Sequence, residues 1–123
     1  MGDAVMTYDE LPSILMGWFP SSKAALDEVI RERADEGAVL AFGIVSECFW
    51  WGIFEPALRL RDLEMIERCL RLTEHLLDEG DTVIHDAVII RVIEYLFDPT
   101  WYETVLQYAG PAVRGILTRP DNS

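Results

Sequence analysis

The chain has 123 residues, half of them hydrophobic, with 22 acidic against 10 basic side chains and a formal net charge of −12. That length and apolar content predict one domain with a packed core and count against wholesale disorder. A field of that sign repels phosphate backbones and anionic headgroups, so direct nucleic-acid or membrane binding is not expected and a basic protein is the natural partner.

The opening stretch, "MGDAVMTYDE", has neither the basic start nor the apolar run of a signal peptide, so a cytoplasmic location is expected. Helical periodicity continues through nearly the whole chain, with no alternating strand pattern. The predicted fold class is all-α: a single compact domain of six to seven helices over residues 1–123, helices three and five central, residues 1–6 and 118–123 frayed.

Thr7 and Glu10 have the spacing of a capping box that opens a first helix to about Trp18. "FPSS" breaks it, and Ser21 or Ser22 caps a second helix that stops at Gly37. The third covers Ala38 to about Leu58, with Pro56 expected to kink or end it. Its longest apolar run, Ala38 to Phe54, is interrupted by Ser46 and Glu47 and is short for a membrane span. Asp62 caps the fourth helix, which runs to Glu79; Gly80 is expected as a left-handed terminator and Asp81 or Thr82 as the next cap. The fifth runs from Val83 to Phe97. Asp98 is placed as the cap of a sixth, with Pro99 in its first turn, and Gly110 and Pro111 separate it from a short last helix.

Helix four is sharply two-sided. Leu63, Met65, Ile66, Cys69, Leu70, Leu72, Leu76 and Leu77 fill one half of its wheel, and charged residues fill the other. Glu64 with Arg68 and Glu67 with Arg71 are expected as i,i+4 pairs. Helix three has almost no polar face. At 100° per residue, Phe42, Val45, Phe49 and Ile53 form one stripe, while Leu40, Glu47, Trp50, Trp51 and Phe54 form another roughly opposite. The first stripe belongs to the core. At least one of Trp50 and Trp51 is expected to be core, with Glu47 at the edge or paired with an arginine; the alternative is an aromatic patch facing a partner or forming a homodimer through Trp50 and Trp51.

Reactive groups are sparse. Cys48 and Cys69 lie among apolar neighbours and are expected as reduced core thiols. His75 and Glu79 share a helix face at a spacing that could give zinc two ligands, but no further motif completes a site, and His85 is placed on the apolar side of helix five as a structural residue. There is no Gly-rich phosphate loop, and Glu47 has no second acid or base beside it in sequence. No catalytic residue, metal or cofactor is assigned, and an enzyme is not expected.

What remains is charge. Residues 74–103 hold eight acids and one base, −7 of the total −12. Either they form an ordinary solvated face or they dock a cationic partner, with Asp78, Glu79, Asp81, Asp86, Glu94 and Asp98 as the binding carboxylates and Trp101 and Tyr102 as flat contacts.

The helix "RDLEMIERCLRLTEHLLDEGD", the following "TVIHDAVIIRVIEYL" and the ending "YAGPAVRGIL" carry a resemblance, from about Arg61 to Gly115. This part of the chain resembles a family of small helical bacterial proteins found among polymorphic-toxin immunity proteins. The resemblance implies cytoplasmic neutralisation of a toxin or nuclease domain by direct binding, and it supplies no catalytic residues. Two alternatives stand beside it: an anti-CRISPR or other inhibitor that mimics nucleic acid with its carboxylates, and a small metal-binding or enzymatic helical domain.

Overall fold

In the computed structural model, which describes residues 6–119, Glu10 accepts the backbone N–H of Thr7 at 2.9 Å and a 3-10 turn, Tyr8–Glu10, leads into α1, Leu11–Trp18. Thr7 and Glu10 form the expected capping box, and the Thr7 hydroxyl also donates to Asp9. A second 3-10 turn, Pro20–Ser22, precedes α2, Lys23–Arg33. Neither serine caps it in the expected way; the buried Ser22 hydroxyl donates back to the Phe19 carbonyl at 2.7 Å.

The second helix ends at Arg33, earlier than expected, and Gly37 has φ 60° and ψ −127°, a conformation strained for any residue with a Cβ. It turns the chain into α3, Ala38–Leu60. This helix does not end or break at Pro56. Its middle, Ile44–Phe54, runs in the wide π register, and the last bond before the proline is from Glu55 N–H to the Trp50 carbonyl. Pro56 then lies in the first turn of the renewed α segment, Glu55–Leu60, where a missing N–H is tolerated.

The left-handed terminator is Arg61, at φ 56° and ψ 40°, rather than Gly80. Asp62 caps α4, Leu63–Glu79, by accepting the Met65 N–H at 3.2 Å. Gly80 is extended, at φ −76° and ψ 153°, because residue 80 pairs with Met6. Met6 donates to the Glu79 carbonyl and accepts from Asp81, both at 2.9 Å, so this residue is buried and bonded instead of frayed. Thr118 likewise bonds back to Arg114. The rest of the fraying expected at the two ends lies outside the described residues.

Asp81 caps α5, which spans residues 82–96 and carries its own π stretch, Ile89–Ile93. The sixth helix starts later than expected. Asp98 accepts the Thr100 N–H at 2.9 Å and so heads a turn, and α6, Tyr102–Tyr108, follows it. The last helix is α7, Pro111–Leu117. The fold is therefore all-α, seven helices in one compact domain, without strands among the described residues.

α3 is the hub and touches α1, α2, α4 and α5. Its first part lies on the first part of α5, and its π stretch lies on the π stretch of α5, so the two run in the same direction. Phe49, Trp50, Phe54, Ile84, Val92 and Leu96 fill the space between them and their neighbours. α3 is 23 residues long and apolar enough to cross a membrane by length and composition alone, longer than its uninterrupted apolar run suggests. Half of that window is buried inside the fold.

Candidate interaction surface

The expected acidic face is divided in two. Asp78, Glu79, Asp81 and Asp86 lie around the α4–α5 turn, whereas Glu94 and Asp98 belong to the other end of α5. At about 1.5 Å per residue, that helix separates the two groups by roughly 20 Å.

At the turn, several carboxylates are already engaged. Asp81 accepts the Ile84 and Tyr8 N–H groups, both at 2.9 Å, and so ties the N-terminal turn to the start of α5. Glu79 is 3.9 Å from His75. Glu74 accepts the backbone N–H groups of Ala112 at 2.6 Å and Val113 at 3.2 Å, placing a negative charge on the start of α7. Nothing in the helical spacing marks that role, since its partners lie almost forty residues downstream. Asp78 and Asp86 are exposed, and no ion pair engages either among the described residues.

The opposite end carries the aromatic residues. Trp50 is fully buried, stacked on Tyr95 at 5.1 Å and 11° and set edge-on to Trp101 at 6.1 Å. Trp51 is 49% exposed, with its ring edge-on to Tyr95 at 5.5 Å. The expected common stripe of the two tryptophans is thus split, since neighbouring helical residues point well apart and only Trp50 is enclosed by the fold. Trp50 is core and Trp51 is surface. The buried Trp50 indole N–H has no hydrogen-bond partner among the described residues. Trp101 is half-buried and donates its indole N–H to the Tyr95 carbonyl at 3.0 Å, and the Tyr102 hydroxyl donates to Leu117 at 2.9 Å. Both therefore have structural duties, while Trp101 also lines a groove on this end. The Thr100 backbone N–H beside Asp98, helped by the Thr100 hydroxyl, holds the Asp98 carboxyl below the usual carboxylate range.

Glu47 is paired with Arg33 at 2.9 Å across α2 and α3. Gly43 makes room for that guanidinium, since a Cβ there would stand 2.6 Å from an Arg33 terminal nitrogen. Of the two helical pairs expected on α4, Glu67–Arg71 forms at 2.8 Å. Arg68 turns away from Glu64 to donate to the Trp18 carbonyl at 2.7 Å and lie over the Phe19 ring. Glu55, at the flank of the apolar run, is buried and held by Arg59 at 2.6 Å.

Both thiols are free and buried. Burial, and secondly the charge of Glu47, pushes Cys48 up to about 11, and burial pushes Cys69 up as well, so neither is a nucleophile near neutral pH. His85 is exposed and not on the buried side of α5, whose inward positions are Ile84, Ala87 and Val88. Among the described residues, no three His, Cys, Asp or Glu side chains come together in a group that could hold a metal ion.

No curated protein and no solved structure matches the chain. A family model does, over residues 12–121, which takes in all seven helices, and the chain belongs to that family, described as a domain of unknown function (DUF7674).

Proposed function

We propose that the protein is an acidic, cytoplasmic binding protein of the immunity type, which neutralises a basic toxin or nuclease domain by direct contact. The observation that carries this reading is the set of uncompensated surface carboxylates. Asp78 and Asp86 at one end, and Glu94 and Asp98 at the other, are exposed and without ion-pair partners among the described residues. With a net charge of −12 behind them, they leave a negative field that a cationic surface would relieve. Both thiols are buried and held in their neutral form.

The test is co-purification with the protein encoded immediately upstream of this one, carried through a salt series. Capture at low ionic strength that weakens steadily as salt rises is the expected result. Failure to retain that protein at any ionic strength, with capture of a nucleic-acid-handling complex in its place, would favour phosphate mimicry over toxin neutralisation.

A further inference from the structure

The two ends of the molecule differ in more than position. At the α4–α5 turn Asp81 is committed to capping, and the exposed large apolar side chain on that end is Val39, with no exposed aromatic ring among the described residues there. At the other end, a groove of about 540 Å³ runs between the α3–α4 turn and the segment entering α6. Arg59, Arg61 and Leu63 form one wall, and Asp98, Trp101 and Thr104 form the other. Around it stand large apolar side chains open to solvent: Leu60 at 79%, Trp51 at 49%, Leu63 at 47% and Tyr95 at 40%. Arg61, which closes α3, is also the one non-glycine residue at positive φ among the described residues.

Protein interfaces concentrate their binding energy in a few aromatic and arginine anchors surrounded by a polar rim. The groove end has that composition and the hairpin end does not. We infer that this groove anchors the basic partner, through an amphipathic segment that seats apolar side chains on Leu63 and Trp101 and turns Lys or Arg toward Asp98. The inference rests on the basic-partner function proposed above and adds the place and polarity of contact.

Polarity follows from the charges on the two walls. Arg59 is tied to Glu55, and Arg61 has no ion pair among the described residues, so the α3–α4 wall repels a cation. Asp98 and the flat ring of Trp101 on the opposite wall attract one. The acidic turn, about 20 Å away along α5, then acts at a distance and raises the rate of encounter without making the anchoring contacts.

The experiment uses the full chain, labelled for NMR and titrated with a synthetic amphipathic Leu/Lys helical peptide, with a Leu/Glu peptide of the same length as control. Shifts are expected at the Trp51 and Trp101 indole signals and at residues 58–66. Asp98→Lys should weaken binding about tenfold, whereas Asp86→Lys, an equal change in net charge, should weaken it much less, and Arg61→Glu should tighten it. Shifts confined to the α4–α5 turn would overturn the groove as anchor and leave the basic-partner function standing. Absence of saturable binding by the Leu/Lys peptide, with salt-sensitive capture of the upstream-encoded protein intact, would overturn the groove as anchor and leave the basic-partner function standing. Equal binding of the Leu/Glu peptide would overturn the polarity. A dimer of the free chain that covers Trp51 and Trp101 and excludes the peptide would assign this face to a second copy.

Discussion

Trp50→Ala should lower the unfolding free energy by about 3–5 kcal/mol, the usual cost of emptying a large aromatic from a packed core. Trp50 is the largest fully buried side chain, and its ring touches Trp51, Phe54, Tyr95 and Trp101. Its removal opens the contact between the two π stretches and undercuts the groove wall. Trp51→Ala, one residue later and half exposed, should cost about 1 kcal/mol or less. Trp50→Phe should fall well below Trp50→Ala, because it keeps a ring against Tyr95 and deletes an N–H that has no partner. Urea denaturation of the three variants checks this order. Equal losses for the two alanine variants would mean that Trp51 is enclosed by the fold as fully as Trp50.

Gly80→Ala should destabilise by about 2 kcal/mol, although the backbone at residue 80 is in a conformation open to any amino acid. The cause is space. A Cβ at this position would lie 2.5 Å from Ile84 Cγ2 and 2.5 Å from the Leu76 carbonyl oxygen, one of them rigid helix backbone. Moving either disturbs the Met6 bridge on the same residue and the Asp81 cap beside it. Gly17→Ala is the opposite case: within α1, with nothing inside 4 Å of the new Cβ, it should gain about 0.5–1 kcal/mol from helix propensity. Thermal melts of the pair should shift in opposite directions, and a neutral Gly80→Ala would show that the α4–α5 turn can relax without loss.

These two sites mark where the sequence is legible and where it is not. The amphipathic stripe of α4, the caps at Asp62 and Asp81 and the all-α class follow from local spacing and side-chain chemistry, and these local signals agree with the fold. The register of α3 does not follow. A wheel drawn at 100° per residue gives no sign of the π stretch, and it places Trp50 and Trp51 in one apolar half without showing that packing covers only the first. Gly80 has the composition of a helix terminator, yet its conformation is set by Met6, seventy-four positions away. The acidic run looks like one surface on paper because residues 74–103 are contiguous, whereas a straight helix carries its two halves to opposite ends. Leu63 reads as core by pattern and stands at the surface beside the groove, since α6 leaves that end of the bundle partly open.

The central claim is that the uncompensated carboxylates recruit a basic protein, and the association rate tests it most directly. Asp78→Lys, Glu79→Lys and Asp86→Lys together exchange three negative charges for three positive ones around the α4–α5 turn. None of these side chains is a cap, so helicity by circular dichroism should match the unmodified chain. Measured by surface plasmon resonance against the upstream-encoded protein at low salt, association should slow by about tenfold or more and lose much of its salt dependence. Dissociation should change little, because the anchoring contacts are at the other end. An association rate equal to that of the unmodified chain, at low and high salt alike, would contradict the account.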